Sequence, residues 1–191
     1  MDTTRLEAFT DGVIAIIITI MVLEIHVPQG RDLAALKADV PVLLAYVLSY
    51  VNVGIFWNNH HHMLHVTERV NGKVLWANLV LLFWLSLVPF VIRWIDEAGF
   101  ASAPTAAYGV VLACGALSYT NLQAQLIALN GPESRLARAT GSDFKGKLSI
   151  VLYLAAIVLA FVQPWAAILI YVAVALIWLV PDSRIESLVK K

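Results

Sequence analysis

The sequence predicts an all-α, polytopic membrane protein of six transmembrane helices. Three observations lead there. The chain of 191 residues is 60% hydrophobic and 14% charged, where soluble domains average roughly 45–50% and 25%. Its apolar runs approach the roughly 20 residues that carry a helix across a hydrocarbon core of about 30 Å. Its basic residues are also lopsided. With six crossings, Arg5, Arg69, Lys73, Arg135, Arg138, Lys145, Lys147, Arg184, Lys190 and Lys191 share one side, and only Arg31, Lys37 and Arg93 share the other. Cytoplasmic loops collect Lys and Arg, so both termini are expected in the cytoplasm; five crossings would export the basic C-terminus.

The helices are expected at about 4–25, 40–66, 73–96, 104–130, 147–162 and 165–181, in one domain covering 1–191. The first opens with Arg5, Glu7 and Asp11, runs uncharged from Gly12 to Leu23, and closes on Glu24. A polar linker with Pro28 and Gly30 follows, from His26 to Asp39. The second helix starts near Pro41 and passes into the polar end NNHHHMLHVTER; Asn71-Gly72 marks the turn. The third, from Val74 to Ile95, contains Pro89, which is expected to kink it without ending it, since membrane helices tolerate Pro. The fourth carries Ser118, Thr120, Asn121, Gln123 and Gln125 in its second half, where interhelical hydrogen bonds are the expected role. The final apolar stretch, Leu148 to Val180, is too long for one crossing, and Gln163-Pro164 near its centre predicts a helical hairpin. Trp76, Trp84, Trp94, Trp165 and Trp178 lie mostly near helix ends and read as interfacial anchors.

Several function classes are disfavoured. The formal net charge is zero, so nothing points to nucleic acid. Cys114 stands alone and can form no internal disulfide. Asp2, Glu7 and Asp11 spoil the positive leader of a signal peptide, so the first helix is expected to remain a span. No Ser-His pair in a mid-membrane context points to an enzyme, and no resident cofactor or metal is expected.

On a wheel of 100° per residue, Gly12, Ile16 and Leu23 fall within about 40° of one line, flanked by Val13, Thr19 and Ile20. One copy of this stripe is an ordinary packed seam; several copies about an axis would wall a channel. Asp11 points about 140° away from Ile16, so it reads as a brace, whereas Arg5 falls nearer the stripe. The second helix ends in Trp57-Asn58-Asn59-His60-His61-His62, and Trp57, His61 and His65 share a face at i, i+4, i+8. Three readings stand: a polar network tying helix ends together, a pH sensor, and a metal site helped by Glu68.

Arg5-x-x-x-Phe9-Thr10-Asp11, at the start of a first membrane helix, resembles the R-x-x-x-F-S-D signature of the transmembrane protein 175 family, the lysosomal-type potassium channels and their prokaryotic relatives. Thr10 replaces the usual Ser and keeps the hydroxyl. Residue-level resemblance is confined to the first two helices, while the hydrophobic layout fits nearly the whole chain. The resemblance implies a homotetramer around a central pore lined by the first helix, in a prokaryotic plasma membrane, with potassium as the permeant ion. It places the constriction at Ile16, Thr19 and Leu23, flanked by Gly12, Val13 and Ile20. It also favours the network reading, joining Arg5, Phe9, Thr10 and Asp11 to Trp57, His60, His61 and His62, with Asn78 a further candidate. The expected partners are potassium ions, the lipid bilayer and further copies of the chain.

No TVGYG loop exists here, so a channel must select ions within the first helix, by a leak-type pathway with rings of Ile that exclude hydrated ions. Thr19 would either offer its hydroxyl between those rings or back-bond to the carbonyl of Ala15. Glu24 ends the helix where the dipole disfavours a carboxylate. It is either an exposed interfacial acid or one of a ring of acids at the outer mouth. The alternative function is a proton- or metal-coupled secondary transporter using the His60–His65 cluster.

Overall fold

The computed structural model describes residues 3–28, 30, 32–141 and 143–179. Arg31, Arg184, Lys190, Lys191 and the expected end of the last helix at 181 lie outside that range. The described helices are α1 (Thr4–Leu23), α2 (Leu33–His65), α3 (Gly72–Ser86), α4 (Val88–Glu97), α5 (Ser102–Asn130), α6 (Arg135–Thr140), α7 (Phe144–Ala160) and α8 (Pro164–Leu179). Among the described residues, four spans are long and apolar enough to cross a membrane: Thr4–Leu23, Asp39–His65, Gly72–Glu97 and Ser102–Asn130. The pair α7 and α8, at 17 and 16 residues, reaches about 25 Å each at 1.5 Å per residue.

Two boundaries differ from expectation. Helix α2 begins at Leu33, not near 40, because Leu33 to Lys37 is built of strong helix formers; Pro41 is carried inside it. The third span is two helices. Pro89 has no N–H to offer the Leu85 carbonyl and its ring crowds that turn. The chain therefore closes early, with Leu87 N–H on the Trp84 carbonyl at 3.2 Å, and restarts at Val88 with Pro89 in the first turn. Pro89 thus interrupts the hydrogen-bond ladder within one apolar span, Gly72–Glu97, and Leu87 stays in the right-handed helical region. The hairpin at Gln163-Pro164 forms between α7 and α8 as the sequence indicates.

Helix α5 lies at the centre, packing on α3, α4, α7 and α8. Its approach to the hairpin is close at Gly109, where an added Cβ would collide with the Tyr171 hydroxyl and come within 2.8 Å of Ile157. That hydroxyl donates to the Thr105 carbonyl at 3.1 Å. Beside it, Tyr108 meets Ser49 at 2.9 Å and accepts from Asn52 Nδ2 at 3.3 Å. These bonds satisfy polar groups where neither lipid nor packed side chains would. Gln123 Nε2 donates to Thr140 Oγ1 at 2.9 Å, fastening the short helix α6 to α5. Trp178 is half-buried and donates to Ser149 at 2.8 Å, so it ties α8 to α7 as well as lying near a helix end.

Helix α1 stands apart from this centre. It packs on α2, α3 and α4 only among the described pairs of elements with substantial contact.

The free face and the anchors of the first helix

Helix α1 divides cleanly into two faces. Leu6, Thr10, Ile14, Ile17 and Met21 are buried, at spacings of four, four, three and four. That is the row a 3.6-residue repeat brings to one side. On the opposite side Phe9, Ile16, Ile20 and Leu23 are open, Ile16 to 60% and Leu23 to 75%. Gly12 and Thr19 are exposed with them, and Val13 is half-buried at the margin. A Cβ added at Gly12 would meet nothing. The stripe singled out in the sequence is therefore not a seam within this chain, which leaves it bare.

Thr19 donates to the Ala15 carbonyl at 2.8 Å. The back-bond is real, yet it uses only the hydroxyl proton. The oxygen keeps acceptor lone pairs on the open face.

The N-terminal half of α1 is held by side chains from two neighbours. Thr10, His60 and Asn78 are all buried. His60 Nε2 donates to Asn78 Oδ1 at 2.8 Å, and Asn78 Nδ2 donates to Thr10 Oγ1 at 2.9 Å. One amide on α3 thus binds α1 and α2 together. Leaving either buried partner unmet would cost about 1–3 kcal/mol. Nearer the surface, Trp57 Nε1 donates to Asp11 Oδ1 at 2.8 Å, and His61 Nδ1 donates to Glu7 Oε1 at 2.6 Å. Four residues forward along α1 answer four residues back along α2, the mark of an antiparallel pair. Trp57, His61 and His65 stack in a row, with ring centres 6.0 and 6.2 Å apart. His62 meets His61 edge-on at 5.7 Å.

The His-rich end is thus hydrogen-bonded to α1 and α3, and Asp11 belongs to that set, bonded to Trp57 and not to Arg5. Arg5 is exposed and makes no hydrogen bond or ion pair among the described residues. Glu7 is the member that sequence reasoning missed. Its place one turn before Asp11, matching His61 one turn after Trp57, was the signal that could have found it.

The C-terminal end of α1 carries a second set of bonds. Arg93 Nη1 donates to Glu24 Oε2 at 3.0 Å and its Nε to Glu97 Oε1 at 2.8 Å. His26 Nδ1 lies 2.7 Å from Asp96 Oδ2. Glu24 is therefore not the lone acid that its position at the helix end suggested, since the Arg93 guanidinium offsets it. Two carboxylates, Glu24 and Glu97, face the Arg93 guanidinium, and a third, Asp96, meets His26.

Residues 5–89 match the family described as Endosomal/lysosomal potassium channel TMEM175. A Chryseobacterium protein described as Potassium channel HX13_20290 is 50% identical over 191 residues, covering all of both chains. The chain belongs to the TMEM175 family. A crystal structure of a lysosomal potassium-selective channel TMEM175 homolog from Chamaesiphon minutus superposes with a TM-score of 0.81 at 25% identity, covering 94% of this chain and 97% of that one. The human Endosomal/lysosomal proton channel TMEM175 is 39% identical over 92 residues, which are 41% of this chain and 18% of that protein. TMEM175 proteins are ion channels of membranes, so this chain is a membrane channel protein and not an enzyme.

Proposed function

We propose that this chain is one subunit of a homotetrameric, potassium-permeable leak channel, with six crossings per subunit and a pore walled by the open face of α1. The observation that carries this reading is the division of α1. It buries Leu6, Thr10, Ile14, Ile17 and Met21 against its own subunit and leaves Gly12, Ile16, Thr19 and Leu23 open in a row. An apolar row on a helix at the edge of the bundle needs a cover. Copies of itself about an axis supply one, with a central pathway between them.

In this reading Ile16, Thr19 and Leu23 form stacked rings over about 10 Å of path. The Ile and Leu rings narrow and dewet the pathway. Between them the Thr19 oxygens offer an ion the lone pairs that water would otherwise supply. Gly12, Val13 and Ile20 flank the constriction and set how closely neighbouring helices approach. The braces at Thr10, Asp11, Trp57, His60, His61 and Asn78 hold α1 at its inner end. Arg5 and Phe9 face the inner opening. The acidic outer end, Glu24 included, concentrates cations before they enter.

Six crossings arise when α3 and α4 count as one span and α7 and α8 each cross. The lopsided basic residues then put both chain ends in the cytoplasm of a prokaryotic cell bounded by its plasma membrane. The lipid bilayer and the other subunits are the standing partners, potassium is the cargo, and no resident cofactor is involved.

The test is single-channel recording of purified protein in planar bilayers under opposed potassium and proton gradients. Discrete ohmic steps that reverse at the potassium potential support the proposal. Steps that reverse at the proton potential would make it a proton pathway, as the human relative is described. Saturable flux without steps would restore the transporter alternative.

A further inference from the structure

The helix that presents the open row is fastened at its two ends to two different helices, and those two helices meet at a break. At the inner end Thr10 is bonded to Asn78 on α3. At the outer end Glu24 is bonded to Arg93 on α4. Between α3 and α4 the chain turns at Leu87. From Thr10 to Glu24 α1 runs about 21 Å without interruption, bridging that break like a splint.

Helix α1 has no basic residue in its last turn, and its C-terminal neighbour Glu24 adds a carboxylate to the negative end of the dipole. Nothing within α1 relieves this. Arg93 does, from another helix, and its planar fork holds two acids at once, Glu24 by Nη1 and Glu97 by Nε. A second stitch joins the same two segments: His26, two residues past Glu24, meets Asp96, three past Arg93. The buried side of α4 consists of Val88, Pro89, Val91, Ile92 and Ile95. Arg93 rides on its exposed side, where its ion-pair partners among the described residues are these acids.

We propose that Arg93 is a positioning residue for the outer end of α1: it clasps that end to α4, so that any swing of α4 about the break at Leu87 moves Leu23 and the outer row with it. The clasp rests on the pore reading for its effect on current, but not for its effect on the position of α1. Arg93 and Glu24 are partly exposed, so the bond is one that solvent and salt can loosen. It biases the outer end without locking it.

The experiment measures two quantities on Arg93→Gln, Glu24→Gln and the double variant, in the assembled membrane protein with Cys114→Ala as background. The first is the rate at which a membrane-impermeant thiol reagent modifies Leu23→Cys. The second is open probability in bilayers. Each single substitution is expected to raise the modification rate several-fold, and the double variant to raise it no further. Open probability is expected to change several-fold in the same pattern. The exchanged pair Glu24→Arg with Arg93→Glu should return both quantities towards the parent values.

Independent, additive effects of the two single substitutions would overturn the clasp, as would a modification rate unmoved by either. A variant that fails to assemble is replaced by Glu24→Gln alone with and without high salt: the clasp requires that salt speed modification in the parent and not in the variant. A parent that carries no current refutes the pore reading, while the modification rates still decide the clasp.

Discussion

Trp57 Nε1 donates to Asp11 Oδ1 at 2.8 Å, joining the second helix to the first. An Asp at the margin of a membrane helix is expensive unless something meets it. Here an indole N–H does, and the carboxylate faces away from the open row. The motif acid of α1 is therefore a fastening, and its removal should be felt in stability before it is felt in ion preference.

Asp11→Ala is expected to cost about 1 kcal/mol, the usual worth of one such bond. That corresponds to roughly 2–4 °C in melting temperature for a chain of this size. Asp11→Asn keeps an acceptor for Trp57 and should cost less. Thermal unfolding in detergent, followed by size-exclusion chromatography, checks both. A stable, tetrameric Asp11→Ala protein with altered cation selectivity would place Asp11 in the permeation path instead.

Ile16→Asn should wet the narrow point, raising unitary conductance and weakening discrimination between potassium and sodium. Ile16 is open and supports no packing within the subunit, so the folded protein should tolerate the change. Unchanged permeation in a well-assembled variant would remove Ile16 from the constriction.

Thr19→Val replaces the hydroxyl by a methyl of similar shape. The back-bond to Ala15 is lost, but that carbonyl keeps its place in the helix ladder, so stability should stay within about 0.5 kcal/mol, the range of ordinary surface changes. Potassium conductance should fall, because the ring would lose the oxygens that replace water around the ion. Equal conductance in the two proteins would leave Thr19 a bystander.

Gly109→Ala tests the packing of α5 on the hairpin. The added methyl collides with the Tyr171 hydroxyl, and overpacking of this kind costs about 1–3 kcal/mol. Tyr171→Phe removes that oxygen and should recover part of the loss in the double variant, though it orphans the bond to Thr105. Melting temperatures of the two single variants and the double one give the coupling. Strict additivity would mean that the clash is relieved elsewhere.

Much of this was legible in the sequence because a helix wheel needs only the 3.6-residue repeat. Gly12, Ile16 and Leu23 fall on one line in the string, with Thr19 flanking it, and all four lie on one open face in the fold. The hairpin at Gln163-Pro164 was legible for a similar reason, since a Pro in an overlong apolar run has few other meanings. The wheel reports which way a residue points, however, and not what it meets. Glu7 and Asp11 could be placed on one side of α1, but pairing them with His61 and Trp57 required the antiparallel register of α1 against α2. Arg93 was invisible as a partner of Glu24 because 69 residues separate them. The break at Leu87 depended on whether neighbours would hold Pro89 within a continuous helix, which no local pattern states. Helix α6 is only six residues long, too short for a periodic signal to emerge.

The bonds that hold α1 have a consequence for how the protein is made. Each of its fastenings reaches forward in the chain: to Trp57, to His61, to Asn78, and last to Arg93. Chains leave the ribosome at about 5–20 residues per second, and early segments fold before later ones exist. The helix that offers the open row is therefore synthesised before everything that secures it. It must wait in the bilayer with one face bare and the other unpaired until α4 has emerged. For the tetramer proposed above, assembly around a common axis is then best deferred until α3 and α4 have closed over the buried side of α1.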